Sequence, residues 1–268
     1  MPQVKVKGVN ISYEERGTGK PVILLHGWNS SSKQWLHNLK ALAPRFRAIA
    51  PDLPGFGDSE ESELFPYTLD DMASFLEELR QALFLPSFCL VGHSMGGCIS
   101  LRYSTLYGDN LDKLVLVSTP TRTSSMGLRA RLPGVEGVLS MTYRLRSENV
   151  LKWMFYRGLY KPEEQDLDFV HANIKATSRI SKHVLLETTR MVRKISLEED
   201  LRSVAVPTLV VFGDRDRSVS TAEVERQRSL LPKPYIAVIT ASDHSPPYER
   251  PEMFNQLVLD FLGDDGLT

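Results

Sequence analysis

The stretch Phe88-Cys89-Leu90-Val91-Gly92-His93-Ser94-Met95-Gly96-Gly97 decides how this chain folds. Residues 88–92 form a short apolar run that reads as a strand. Residues 95–107 carry a helical pattern, with Gly96 and Gly97 in its first turn. Ser94 therefore stands where a strand turns sharply into a helix. Gly92 and Gly96 leave room for the close chain approach that such a turn requires, and the helix N-terminus beside Ser94 favours negative charge. G-H-S-M-G is thus a G-x-S-x-G turn in the strand–turn–helix setting that raises a serine as a nucleophile.

Outward from this turn the pattern alternates. Short apolar runs at 22–26, 46–51, 114–118, 208–213 and 235–240 read as strands. Helical spacing appears at 32–43, at 68–84 behind a capping Thr68, at 220–231 and at 249–262. Residues 4–14 alternate around Gly8-Val9-Asn10, a hairpin signal. Strands alternating with helices imply an α/β fold: a mostly parallel, twisted sheet covered on both faces. Residues 121–200 break that rhythm. They are helical throughout, interrupted at Pro133-Gly134 and Pro162, with 14 basic residues against 10 acidic, which reads as a solvated helical surface. The expected organisation is a core of residues 1–120 and 201–268 with a helical cap inserted at 121–200.

Composition narrows the classes of partner. The 268 residues carry 32 Lys and Arg against 33 Asp and Glu, a net charge of -1, so no nucleic-acid partner is expected. Two cysteines, Cys89 and Cys98, exclude a disulfide scaffold and read as buried free thiols. No run approaches the ~18 apolar residues of a membrane span. The start, M-P-Q-V-K-V-K, lacks the apolar segment of a secretory signal, so the expected setting is the cytoplasm. No metal-ligand spacing, phosphate loop or dinucleotide fingerprint occurs, and no cofactor is expected.

In open parallel sheets ligands bind outside the carboxyl ends of the strands. Polar residues gather at those positions here: His26-Gly27-Trp28, P-D-L-P-G-F-G-D-S from Pro51, His93-Ser94-Met95, Asp214-Arg215-Asp216 and Asp243-His244-Ser245. The pieces L-H-G-W, D-L-P-G-F-G-D-S, V-G-H-S-M-G-G, F-G-D-R-D and D-H-S-P-P-Y-E-R-P-E-M-F resemble, in order and spacing, the serine hydrolases of the α/β-hydrolase fold. The resemblance covers essentially the whole chain and is nearest to the capped esterases, lactonases and cofactor-free perhydrolases.

That resemblance implies an order of serine, acid and histidine. Ser94 is then the nucleophile. His244, after the final strand and before the final helix, matches the base. His26 and His93 read as structural, His37 as a surface residue, and His171 and His183 as packing or surface residues of the insertion. Asp216 matches the acid through the pattern G-x-x-D from Gly213, although the usual following proline is Ser220 here. Asp214 and Asp243 read as turn residues, and V-S-T-P after the strand ending near 118 offers no carboxylate for the alternative acid position. The oxyanion hole is expected from the backbone N–H of Trp28 and of Met95, with the Trp28 side chain free to wall the acyl pocket. Asp52, Gly55 and Ser59 read as structural. Trp153, Met154, Phe155 and Tyr156 suit the cap core and the pocket wall equally.

The expected function is hydrolysis of small carboxylic esters through an acyl-enzyme on Ser94, with His244 as base and Asp216 as orienting acid. Lactone hydrolysis, C–C bond hydrolysis and perhydrolysis would use the same residues. A ligand receptor without turnover on the same scaffold is the remaining alternative.

Overall fold

A computed structural model describes residues 1–125, 134–145, 147–157, 159, 161 and 165–264 of the chain. Eight strands form one sheet in the order β1-β2-β4-β3-β5-β6-β7-β8. They are β1 (Gln3–Val6), β2 (Val9–Arg16), β3 (Lys20–Leu25), β4 (Phe46–Pro51), β5 (Phe88–His93), β6 (Leu111–Val117), β7 (Thr208–Gly213) and β8 (Pro234–Ile239). β1 and β2 pair antiparallel around the positive-φ pair Lys7-Gly8, and β2 meets β4 antiparallel. Every pairing from β4 to β8 is parallel.

The apolar runs of the central strands follow from double-sided burial, since a strand covered on both faces cannot afford a polar alternate. Along β3, Ile23 and Leu25 enter one hydrophobic core while Val22 and Leu24 enter the other. β5 divides in the same way, with Phe88 and Leu90 on one side and Cys89 and Val91 on the other. The first core is covered by helices Leu69–Ala82 (α2) and Met95–Tyr107 (α3). The second is covered by Leu36–Leu42 (α1) and, near the C-terminus, by Pro251–Gly263. Thr68 caps α2 as its sequence position suggests, its Oγ1 accepting the Asp71 N–H at 3.2 Å. Such caps contribute about 1 kcal/mol.

Two helices differ from the sequence pattern. The segment expected at 32–43 opens as a 3-10 turn, Ser32–Trp35, before α1. The final helix is divided at Arg250 into Pro246–Glu249 and Pro251–Gly263, because each proline fits only the first turn of a helix.

Between β6 and β7 the chain forms helices Val135–Thr142 (α4), Glu148–Arg157 (α5), Leu167–Ser178 (α6), Lys182–Val192 (α7) and Glu198–Ser203 (α8). Helices Thr221–Leu230 (α9), Pro246–Glu249 (α10) and Pro251–Gly263 (α11) complete the chain. The two ends of the helical stretch lie side by side. The Leu197 N–H donates to the Thr121 carbonyl at 2.9 Å, and Arg122 bridges Ser196. Buried Glu223 on α9 ties down the first end by accepting from the Thr121 N–H at 3.2 Å and from the hydroxyls of Thr121 and Ser125. The helix breakers Pro133 and Pro162 lie outside the described residues, as do the side chains of Trp153, Met154 and Phe155. Tyr156 packs partly buried against Leu151, Val170 and Ile174, and against Leu159, Phe169 and Tyr248. Cys89 and Cys98 are free and buried, and burial pushes the Cys89 thiol up to about 12. Among the described residues no helix is long and apolar enough to cross a membrane.

Candidate active site

Ser94 lies between β5 and α3 with φ 52° and ψ -113°, a strained conformation for a residue with a side chain. Serine at a helix N-cap ordinarily turns its oxygen onto the first-turn amides. Ser94 makes no such bond. Its backbone is held instead by its N–H to the Val117 carbonyl at 2.9 Å and by the Cys98 N–H to its own carbonyl at 3.1 Å. The neighbouring glycines are required by space. A Cβ on Gly92 would collide with Ser100 Oγ and the Gly96 carbonyl, and one on Gly96 with the carbonyls of Leu25 and His26. The elbow and the loop after β3 are therefore in backbone contact.

The side chain of Ser94 reaches His244 instead. His244 Nε2 is 3.0 Å from Ser94 Oγ, and His244 Nδ1 is 3.1 and 3.2 Å from the two carboxylate oxygens of Asp216. An ionised carboxylate only accepts, so Nδ1 carries the proton toward Asp216 and the Nε2 lone pair faces the serine hydroxyl. Asp216 is 3 % exposed and His244 21 %. Oδ1 of Asp216 also accepts the N–H groups of Ser218 and Val219, both at 2.8 Å.

Two opposing effects set each pKa. Burial pushes the Asp216 carboxyl up, but the charge and hydrogen bond of His244 and the two backbone donors outweigh it, leaving it below 3.8. Burial pushes the His244 imidazole down, but Asp216, with Asp243 and Glu249 behind it, outweighs that and leaves it above 6.5. Both shifts have the direction expected of a carboxylate that supports an imidazolium.

The loop that carries His244 is fixed from several sides. The Ser242 N–H donates to Asp214 Oδ1 at 3.2 Å, so Asp214 closes the turn expected of it. Asp243 does more than close a turn. Its carboxylate accepts the Arg217 N–H at 3.0 Å and Arg217 Nε at 2.5 Å, so the residue beside Asp216 is ion-paired to the residue beside His244. Glu249 accepts Ser242 Oγ at 2.6 Å and the Asp243 N–H at 2.5 Å. Nothing in the sequence pattern singled out Arg217 or Glu249.

The remaining histidines take the roles their positions suggest. His26 Nδ1 donates to the Gly27 carbonyl at 2.8 Å and Nε2 accepts the Leu53 N–H at 3.1 Å, shaping the loop after β3. Burial lowers its pKa to about 4. His93 donates Nε2–H to the His244 carbonyl at 2.7 Å and lines the same cavity as Ser94. His37 faces Asp166 at 3.5 Å and stacks on Phe169. His183 packs on Tyr67, and neither it nor His171 lines the cavity above Ser94. Asp52 accepts the N–H groups of Ser32 at 2.6 Å and Asp58 at 2.9 Å, a structural role shared with Ser59, whose hydroxyl donates to the Asp52 carbonyl at 2.7 Å.

A cavity of about 290 Å³ opens over Ser94 and His244. Trp28 and the helical stretch between β6 and β7 supply apolar walls, notably Leu151, Leu159, Phe169 and Ile174. Met95 is the first residue of α3, so its N–H is among the four that an α-helix leaves without an internal partner. Trp28 follows Gly27, whose N–H donates to Gln34 Oε1 at 3.2 Å. The Trp28 side chain does wall the cavity, and its indole is also hydrogen-bonded to Thr188 of α7 at 3.2 Å. Among the described residues no three of His, Cys, Asp and Glu gather as a metal site.

The sequence profile described as the alpha/beta hydrolase fold matches residues 20–251. A pimeloyl-[acyl-carrier protein] methyl ester esterase of Vibrio vulnificus is 27% identical over 262 residues, covering 95% of this chain and 98% of its own length. The 2-hydroxy-6-oxo-6-(2'-aminophenyl)hexa-2,4-dienoic acid hydrolase of Metapseudomonas resinovorans is 28% identical over 269 residues, covering 97% of this chain and 89% of its own length. The crystal structure of a bromoperoxidase from Bacillus anthracis superposes with a TM-score of 0.86 at 26% identity, covering 98% of this chain and 99% of its own.

Proposed function

This chain belongs to the alpha/beta hydrolase fold family, and we propose that within it the protein is a serine hydrolase of small carboxylic esters. The observation that carries the reading is the continuous relay from Asp216 through His244 to Ser94, at 3.1 and 3.0 Å. The methyl ester esterase of Vibrio vulnificus supports ester hydrolysis as the reaction.

In the proposed reaction His244 Nε2 takes the proton of Ser94 Oγ as the oxygen attacks the ester carbonyl. Asp216 stabilises the imidazolium. The backbone N–H groups of Trp28 and Met95 hold the oxyanion that develops on the former carbonyl. His244 then gives its proton to the departing alcohol, and water cleaves the acyl-enzyme by the same route. We further assign residues 121–200 as the cap, because Leu151, Leu159, Phe169 and Ile174 wall the cavity from that stretch, and a cytoplasmic setting accompanies the two free cysteines.

A panel of p-nitrophenyl esters from acetate to long acyl chains, run with wild type and Ser94→Ala, tests the reading. Turnover that disappears with Ser94 supports it, and a variant that keeps full turnover refutes it. The relative from Metapseudomonas resinovorans gives a second reading, C–C bond hydrolysis by the same three residues. That reading gains if a fluorophosphonate labels Ser94 while every ester of the panel is left intact.

A further inference from the structure

Three consecutive residues of the loop after β3 are held by side chains from different parts of the chain. Gly27 is held from the core, through its N–H to Gln34 Oε1 at 3.2 Å. Trp28 and Asn29 are held from the insertion. The Trp28 indole N–H donates to Thr188 Oγ1 on α7 at 3.2 Å. Thr188 passes its own hydroxyl proton to the Val184 carbonyl at 2.6 Å, so its donor and acceptor roles are mutually consistent. The hydroxyl of Thr177 on α6 donates to the Asn29 carbonyl at 2.8 Å. Thr188 is fully buried and Thr177 is 4 % exposed.

Asn29 itself has φ 59°, the left-handed conformation. Asparagine tolerates that region better than most residues, but a strained backbone persists only where its surroundings determine it. The Trp28 N–H lies in the Gly27–Trp28 peptide, whose carbonyl accepts from His26 Nδ1 at 2.8 Å, and the anchored indole and left-handed Asn29 hold the residues on the other side of that amide. These contacts flank the Trp28 N–H, one of the two amides that the proposed reaction needs at a defined point in space. A donor that stabilises developing charge acts through its prior placement, and its value falls steeply with misplacement.

We propose that Thr177 and Thr188 are positioning residues for the proposed reaction: through Asn29 and Trp28 they hold the oxyanion loop in its working geometry. The insertion then does more than wall the cavity. It completes the electrophilic half of the site, while the sheet supplies Ser94, Asp216 and His244. Thr177 also lines the cavity over Ser94. The inference rests on the serine-hydrolase reading above.

The test compares Thr177→Val, Thr188→Val and the matched Thr177→Ser and Thr188→Ser with wild type on a short p-nitrophenyl ester. Rates are expressed per active site titrated with a fluorophosphonate, so that unfolded molecules do not count. The same proteins are titrated with a trifluoromethyl ketone, which takes up Ser94 Oγ at its carbonyl and leaves an oxyanion. Each valine variant is expected to lose about tenfold in kcat, a part of the loss that follows removal of a whole oxyanion donor. The affinity for the ketone falls in parallel, KM moves less than about threefold, and serine restores both values. Turnover per titrated site that survives both valine changes overturns the proposal, even if the Tm drops. So does a loss confined to KM, or one that serine does not restore. Ser94→Ala serves as the separate control: ester turnover that persists in it defeats the serine-hydrolase reading itself, whereas its disappearance together with unaffected threonine variants defeats the positioning role alone.

Discussion

The rings of His93 and His244 lie 5.1 Å apart, and His93 Nε2–H donates to the carbonyl of His244 at 2.7 Å. The residue that precedes the candidate nucleophile thereby holds the backbone of the candidate base. Burial, with the nearby His244 charge adding to it, lowers the His93 pKa to about 3, so the ring stays neutral and keeps the Nε2–H tautomer throughout the working pH range. His93→Leu removes the donor and leaves a buried carbonyl unsatisfied. Equilibrium urea unfolding should show a loss of about 1–3 kcal/mol. The kcat of the folded fraction should fall roughly tenfold as His244 loses its fixed orientation.

The pH dependence follows from the raised pKa of His244. The base must be neutral to accept the serine proton, so kcat/KM should rise with pH along a limb centred above 6.5. The same group affects stability with the opposite slope. Its contribution is fully present below 6.5 and is lost as pH rises through the folded value. Asp216→Asn removes the partner that opposes burial. The limb should move below that of the wild type, and kcat should drop about 10⁴-fold. A pH profile of both proteins checks the shift, and an unchanged limb would show that Asp216 does not set the histidine.

Lys113 is a buried lysine remote from this chemistry. It is 4 % exposed, and its Nζ donates to the carbonyls of Phe261 at 2.9 Å and Asp264 at 2.5 Å. A strand residue thus caps the C-terminus of α11, where unsatisfied carbonyls and the helix dipole both favour a cation. Lys113→Met should lower stability by about 1–3 kcal/mol while turnover per folded molecule is unchanged. Thermal melting beside steady-state kinetics separates the two.

Gly96 and Gly97 make different demands although they are adjacent. The nearest atoms to a Cβ on Gly97 all belong to the side chain of Thr119, whereas the nearest to one on Gly96 are backbone atoms of Leu25 and His26. Gly97→Ala should therefore cost about 1–3 kcal/mol and be partly rescued by Thr119→Ala. Gly96→Ala has no side chain to trim away. It should push the loop after β3 and lower kcat even in the presence of stabilising osmolytes. A double-mutant cycle in Tm and kcat distinguishes the two positions.

The parts of this molecule that were legible in the sequence are those governed by local rules. Double-sided burial made the central strands continuous apolar runs, and the G-H-S-M-G turn lay where a strand meets a helix. Ser94, Asp216 and His244 are candidates because each follows a strand end in the order that the resemblance implies, and the structure brings the three side chains together. The features that stayed hidden are pairings across large sequence distances. Thr188 reaches Trp28 across 160 positions and Thr177 reaches Asn29 across 148. A threonine that satisfies a remote carbonyl carries no periodic signature, and neither does a lysine that caps a helix from a strand. Asp243 was read as a turn residue because its partner, Arg217, is selected by the meeting of two loops and by nothing local.

The closure between Thr121 and Leu197 has a consequence for how such a chain can diversify. Because departure and return lie within one hydrogen bond of each other, everything between them is grafted on a single root. Loop-closure entropy grows only slowly with length, so added length between these ends costs little, but Ile180, Val184, Leu185 and Met191 belong to the first hydrophobic core, and an exchanged segment would have to replace that packing. A transplanted segment that seals this root and restores that packing would fold in place. To work there, it would also have to bring its own pair of hydroxyls to Trp28 and Asn29.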